Sequence, residues 1–395
     1  MLSYNYLLNI AVILLSTKML GLLTRKFQMP QVVGALLAGL ILGPAVLNIV
    51  KETQFIAQMA ELGVIVLMFS AGLETDIKEL KKTGKISFLT ALLGVLVPLV
   101  IGFIVAVIFN EGFSNIQGGK VFLQNVFIGV ILTATSVSIT VETLKEIGKL
   151  STRAGNVILG AALIDDVMGI IALTIITSLA DTSVNVWSVL FKLVMFFVFA
   201  IIFGMVFYYF FNKWMKRYND SNKRFVILAF VFCLLLAYIA ERYFGVADIT
   251  GAFIAGLFIS NTQKTEYITS RFETLSYMLL SPIFFASIGI KVDISSMSSS
   301  IIIFTIVLTL AAILSKVIGC GLGAKMCKCT NMESLQIGTG MISRGEVALI
   351  VATKGLSLGL VDQKFLAPVV IMVVITTVIT PILLKVVFRH STVTE

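Results

Sequence analysis

Two adjacent carboxylates, Asp165 and Asp166, sit in the middle of an apolar run from about Val157 to Leu179. A run that long reads as a membrane-spanning helix. A charge at the bilayer centre costs at least ~2.5–3.5 kcal/mol on the gentlest scale, so both acids must face protein, ion or water. Buried structural acids bonded to a neighbouring helix are the plain alternative. Intramembrane acids mark ion and proton paths by default, and that reading is preferred here. Two other stretches are rich in oxygen ligands: Thr133-Ala-Thr-Ser-Val-Ser-Ile-Thr140 and Gly338-Thr-Gly-Met-Ile-Ser-Arg-Gly-Glu346. Each interrupts an apolar span, and unwound backbone there offers carbonyls to a cation. Either stretch alone reads as readily as glue between helices. Carboxylates, hydroxyls and carbonyls together make a hard oxygen site suited to a small cation such as Na⁺. Two acids so close resist being ionised together, which lets one alternate between a proton and a metal ion. An ammonium such as Lys316 nearby would neutralise one acid until the ion displaced it.

The elements that carry these residues must be membrane helices. The chain has 395 residues, 58% of them hydrophobic and 13% charged, with a mean hydropathy of +1.03. That composition excludes an ordinary soluble domain and indicates a polytopic helical membrane protein. The N-terminal run lacks a basic leader and a small-residue cleavage site, so it reads as a mature span. The net charge of +9 does not point to nucleic acid, because the basic residues fall mostly in short loops between spans. Cys327-Lys-Cys329 is a lone C-x-C with no nearby histidine, and His390 is the single histidine. Zinc, a histidine proton relay and any other cofactor are therefore not expected.

Apolar runs between polar punctuation give thirteen candidate spans: 5–23, 30–50, 55–73, 86–109, 122–144, 154–180, 186–211, 225–243, 246–260, 272–290, 299–323, 333–358 and 365–388. Lys and Arg near span ends number 20 after odd-numbered spans and at the C-terminal end, against 6 after even-numbered ones. Positive charge stays cytoplasmic, so the N-terminus is expected outside and the C-terminus inside the cytoplasmic membrane. Lys18 and Lys192 can snorkel to an interface, whereas Lys316 and Arg344 lie deeper and need partners. Among acids, Glu61, Asp165, Asp166 and Glu346 lie well within spans.

The chain also repeats itself. Gly34-Ala-Leu-Leu-Ala-Gly-Leu40 recurs as Gly251-Ala-Phe-Ile-Ala-Gly-Leu257, and the same offset carries Gly72 to Gly289 and Asp76 to Asp293. The two copies open an odd number of crossings apart, which gives them opposite orientation. The expected architecture is an all-α polytopic membrane protein of about thirteen transmembrane helices. Two inverted-topology six-helix repeats carry a pair of broken, crossing helices. Residues 1–153 open repeat one, 154–180 form the Asp-Asp core helix, 186–211 a linker helix, and 225–388 repeat two.

Asp165-Asp166 within "ILGAALIDDVMGIIALT", the "TATSVSITV" break, "VVGALLAGLILGP", "LMFSAGLE" and Lys316 resemble the monovalent cation:proton antiporters of the second family. The resemblance covers essentially the whole chain and implies an NhaA-like antiporter fold. It implies Asp166 as the essential ion- and proton-binding acid and Asp165 as the partner of Lys316. Thr135 and Ser136 would line the crossover of the broken helices, with Glu346 an auxiliary acid. It implies Na⁺ held at Asp166 and Asp165, an elevator movement of a core domain, and a homodimer in the lipid bilayer. For Arg344, pairing with Glu346 and pairing with helix C-terminal carbonyls both remain open. A gated cation channel of the Kef type, a sodium-coupled organic-solute symporter and a membrane enzyme are the competing classes. The last lacks a nucleophile–base set.

Overall fold

A computed structural model describes residues 5–26, 29–109, 119–180, 186–217, 222–291, 299–357, 359–361 and 365–390. All regular structure among them is helical. The first part of the chain forms α1 (Asn5–Lys26), α2 (Gln31–Leu42), α3 (Gln54–Glu74), α4 (Ile77–Phe109), α5 (Gly119–Thr133), α6 (Val137–Glu146) and α7 (Arg153–Ala180). The long α8 (Val186–Arg217) follows. The remainder forms α9 (Asn222–Ile239), α10 (Asp248–Ser260), α11 (Thr265–Leu275), α12 (Ser281–Ile290), α13 (Ser299–Met326), α14 (Asn331–Gly340), α15 (Glu346–Ser357) and α16 (Leu366–His390). Single π-turns extend α9 over Ala240–Phe244 and join α11 to α12 over Ser276–Leu280.

Ten helices or end-to-end helix pairs among the described residues are long and apolar enough to cross a membrane. The spans expected at 30–50, 246–260 and 333–358 appear instead as shorter apolar helices. The first ends at Leu42 because Gly43 precedes Pro44 and turns extended, with φ −76° and ψ −176°. A residue before proline is disfavoured in the helical region. The narrow break expected near Tyr243 is made by Gly245, whose φ of +66° ends the preceding helix. Its N–H and that of Val246 donate back to the carbonyls of Glu241 and Ala240, a left-handed stop that glycine adopts without steric cost. The expected span at 122–144 divides at Ala134–Ser136 into α5 and α6, and that at 333–358 divides at Met341–Gly345 into α14 and α15.

The helices pack as two groups. One holds α1–α3 with α9–α12, the other α4–α7 with α13–α16, and α8 touches members of both. Within the first group α2 lies on α12 and α3 lies on α10. A β-carbon at Gly39 would sit 1.9 Å from the Ala286 carbonyl oxygen, and one at Gly256 would sit 2.3 Å from that of Phe69. Likewise a β-carbon at Gly289 would meet Leu36 O at 2.6 Å, and one at Gly72 would meet Phe253 O at 2.3 Å. The sequence offset that relates the two glycine motifs converts the first contact of each pair into the second. Small residues let these backbones touch, as membrane helices without a hydrophobic driving force require. In the second group α4 crosses α13 and also packs on α7 and α5, placing it over the acidic helix.

Candidate functional site

Asp165 and Asp166 lie near the middle of α7, whose apolar sequence makes it helical throughout and leaves the acids no polar solvent of their own. Successive residues of a helix point about 100° apart, so the two carboxylates address different neighbours. Asp165 faces α13, where Lys316 Nζ donates to its Oδ1 at 2.9 Å. The pair is dry, the two side chains being 0% and 1% exposed. At 2.9 Å in a low-dielectric surround such a pair must hold together, since either ion alone would be an uncompensated buried charge.

The pairing depends on α4. Gly94 sits against it, and a β-carbon there would lie 2.5 Å from Cys320 Sγ, 3.8 Å from Lys316 Nζ and 3.9 Å from Asp165 Oδ1. Cys320 is one turn on from Lys316 and fully buried. A side chain at position 94 would therefore push directly on the pair.

Asp166 is the more exposed of the two acids, at 9% against 2%. Its face of α7, one turn earlier, carries Leu163. That residue lines a cavity of about 500 Å³ that continues past Thr250 and Leu257 to Ile77 and Lys81. The cavity thus runs from Leu163, one turn from Asp166, between α7, α8 and α10 toward the start of α4.

The two broken helices meet beside the acids. Ser136 N–H donates to Ser343 O at 2.7 Å, and the Ser343 hydroxyl donates to Ser136 O at 2.7 Å. The Thr140 hydroxyl donates to Gly340 O at 2.7 Å and lies 2.9 Å from Ser343 Oγ. These bonds satisfy backbone groups that unwinding frees, which a bilayer interior demands. Gly345 allows the close approach, since a β-carbon there would fall 2.6 Å from Ser136 Oγ. Thr135 is buried in the first break with its hydroxyl turned toward Asp165.

Arg344 is fully buried in the second break. Its guanidinium donates to Leu132 O at 2.9 Å and to Ile342 O, while its own carbonyl accepts from the Thr377 hydroxyl. Leu132 belongs to the last turn of α5, where unpaired carbonyls and the helix dipole favour a cation. Carbonyl capping, one of the two partnerships the sequence leaves open, is present. Arg344 also acts electrostatically on Asp165. Among the described side chains, two acids (Asp165 and Asp166) and two cations (Lys316 and Arg344) gather around the crossover.

The structure brings Asp165, Asp166, Lys316, Thr135 and Ser136 to one region where α7, α13 and the first break converge. Glu346 opens α15, and its side chain lies outside the described residues. Glu61 is exposed on α3 and acts on Glu241. Lys18 and Lys192 are exposed, and Lys18 donates to the Tyr277 hydroxyl. Sequence reasoning passed over Thr377, which has no distinguishing pattern within its apolar helix. It also passed over the charged end of α6, where Glu142 lies near the end of the expected span at 122–144 and Lys145 and Glu146 fall just beyond it.

Residues 11–390 match the family model described as "Sodium/hydrogen exchanger, transmembrane". The chain is 40% identical to the Na(+)/H(+)-K(+) antiporter GerN of Bacillus cereus over 386 residues, covering 98% of this chain and 97% of the relative. It is 37% identical to a Na(+)/H(+) antiporter of Enterococcus hirae over 385 residues, covering 95% and 96%. Among solved structures, the sodium proton antiporter MjNhaP1 of Methanocaldococcus jannaschii shares the fold. The TM-score is 0.69 at 20% identity, over 95% of this chain and 94% of that one.

Proposed function

The chain belongs to the sodium/hydrogen exchanger family, and on that premise we propose that it exchanges Na⁺ for H⁺ across the cytoplasmic membrane by alternating access at Asp166 and Asp165. Cation/proton exchange is the activity class that its relatives' names support. The observation that carries the finer reading is the dry Lys316–Asp165 pair at 2.9 Å, with Asp166 next in the chain beside the crossing of two broken helices. Asp165 is tied to Lys316 and Arg344 to backbone carbonyls, so Asp166 is the acid whose charge can be exchanged, for a proton or for a metal ion. Bound Na⁺ then excludes the proton and a bound proton excludes Na⁺. That competition couples the two fluxes without any further device.

The protein's own groups supply each step. Asp166 holds the transported charge; Asp165, tied to Lys316, shapes the field it feels; Thr135 and the carbonyls of the breaks supply oxygen ligands to a partly dehydrated cation. Arg344 keeps the carbonyls of α5 from competing for that cation. Access alternates as the group containing α7 moves against the group containing α3 and α10, in the elevator manner of the family, in a homodimer. We read the ten long helical units together with α2, α10 and α15 as thirteen crossings with the N-terminus outside. The reciprocal glycine contacts support two inverted repeats with α8 as linker between them. The relative named a Na(+)/H(+)-K(+) antiporter makes K⁺ a second candidate cargo.

Purified protein in vesicles holding a pH-sensitive dye tests this directly. Addition of Na⁺, with Li⁺ and K⁺ in parallel, is expected to drive protons the other way, most strongly with Na⁺. Asp166→Asn is expected to insert and fold but to move no protons, because an amide neither binds a proton nor neutralises a cation. Wild-type-like exchange by that variant, or cation flux without proton flux, would overturn the assignment.

A further inference from the structure

The charged end of α6 takes no part in the site described above, yet it is where the two helix groups are tied together. α6 belongs with α7 and α16 but also packs against α2 and α3. Two polar contacts cross there. Lys145 Nζ meets Glu74 Oε1, the last residue of α3, at 2.7 Å, with both side chains only a quarter exposed or less. Glu146 accepts from the backbone N–H of Gln31 through both carboxylate oxygens, at 2.7 and 2.8 Å. Gln31 is the first residue of α2, where Pro30 provides no side-chain cap, so a carboxylate from the other group satisfies that helix start.

The surroundings are arranged around this pair. Glu273 of α11 acts on Glu74, and Glu142, one turn before Glu146, shares a cavity of about 580 Å³ with Lys145, Glu273 and Lys18. Four carboxylates, Glu74, Glu142, Glu146 and Glu273, gather here. Lys145 is the cation in direct ion-pair contact with one of them across the boundary, with Lys385 and Arg25 acting on Glu146 from further off. A rigid fold would have little reason to place a partly buried ion pair on a boundary that apolar residues could seal. A boundary that has to part and rejoin gains from contacts of this kind, because water and ions can solvate both halves once they separate.

We propose that Lys145–Glu74 and Glu146–Gln31 form an ionic latch that holds the α6 end of the site-bearing group against α2 and α3, and that the latch opens once in every transport cycle. The proposal rests on the alternating-access reading for its place in the cycle. The latch itself rests only on the four residues and their geometry. It holds the arrangement in which the cavity beside Leu163 leads toward Lys81. Weakening it shifts the protein away from that arrangement.

Two experiments test it. Hydrogen–deuterium exchange on the purified protein reads the latch without reference to transport. Glu74→Gln is expected to raise deuterium uptake several-fold over 137–146 and at the start of α2, and the charge swap Glu74→Lys/Lys145→Glu to return it near the wild-type level. Unchanged uptake in the single variant, or a swap that fails to restore, overturns the latch. For its place in the cycle, Glu74→Cys/Lys145→Cys is prepared with the four native cysteines replaced by serine. It is then bridged by a short bifunctional methanethiosulfonate reagent in vesicles. Exchange is expected to fall at least about tenfold on bridging and to recover with reductant, whereas unimpaired exchange in the bridged protein overturns the cyclic opening. If the wild-type protein moves no protons with any cation, the functional reading fails, and the deuterium experiment still decides the latch.

Discussion

Replacing Lys316 probes the site most sharply, because the structure fixes what is left behind. Lys316→Ala removes the sole cation within hydrogen-bond distance of Asp165 among the described residues and leaves a carboxylate that is 1% exposed. At 2.9 Å and an effective dielectric of 20, the direct attraction lost is about 6 kcal/mol. Much of that is offset in the native protein by the desolvation of both ions, so the net loss follows measured losses of one partner, roughly 3–5 kcal/mol. The double variant Lys316→Gln/Asp165→Asn removes both charges and keeps both volumes, and replacing a buried pair in this way is often close to neutral. Thermal unfolding in detergent is expected to rank wild type and the double variant together, with Lys316→Ala well below. The coupling read from the full cycle should exceed about 2 kcal/mol. A Lys316→Ala protein as stable as wild type, or a double variant no better than the single, would refute the reasoning. Currents on a solid-supported membrane after a Na⁺ jump add a second reading. If Lys316 releases a proton when Na⁺ enters, Lys316→Gln exchanges without the current or not at all. If the aspartates alone carry protons, the charge moved per turnover is unchanged.

Gly94→Ala places a methyl group 2.5 Å from Cys320 Sγ. Overpacking of this kind costs about 1–3 kcal/mol, so a lowered melting temperature is expected, with recovery in Gly94→Ala/Cys320→Ala. Thr140→Val deletes the bond to Gly340 O across the crossover and leaves a buried carbonyl short of a partner. The cost is about 1–3 kcal/mol, read by the same melting assay. For topology, a cysteine at Lys81 is expected to react with impermeant maleimide from the cytoplasm and one at Lys51 from outside. Reaction of both from the same side would break the proposed crossing pattern.

Much of this architecture is legible in the sequence because the bilayer imposes few options. A backbone in hydrocarbon must be helical or have its freed groups satisfied by protein. The polar stretches at 133–140 and 338–346 could therefore be helices glued to neighbours or helices that break. They break at Ala134–Ser136 and Met341–Gly345. The end of α2 at Leu42 was also within reach, since Gly43-Pro44 stands in the sequence, but a hydropathy window runs over it into Val46 and Leu47. Glu61 shows the opposite failure. Its position within an apolar run makes it look intramembrane, yet no periodicity tells which face of α3 it occupies, and it faces out.

The site divides along the same line. Residue type alone makes Asp165 and Asp166 an ion-site candidate, because the cost of an unpartnered acid in lipid is large enough to demand a reason. What residue type does not specify is which cation answers which acid. Lys316 and Arg344 are both deep, both positive and both buried without exposure, and hydropathy treats them alike. The difference lies in what stands opposite. Lys316 has a flexible stem and a point charge, and it meets the single oxygen Asp165 Oδ1 across α4's glycine. Arg344 has a planar fork and meets two carbonyls, Leu132 O and Ile342 O, at the broken ends. An ammonium yields its partner to an arriving ion far more readily than a guanidinium held by two carbonyls. The glycine contacts of α2, α3, α10 and α12 come in reciprocal pairs, whereas these charges do not. Arg344 ties the broken ends of both halves together through Leu132 O and Ile342 O, while Lys316 reaches from the second half to a single carboxylate oxygen in the first.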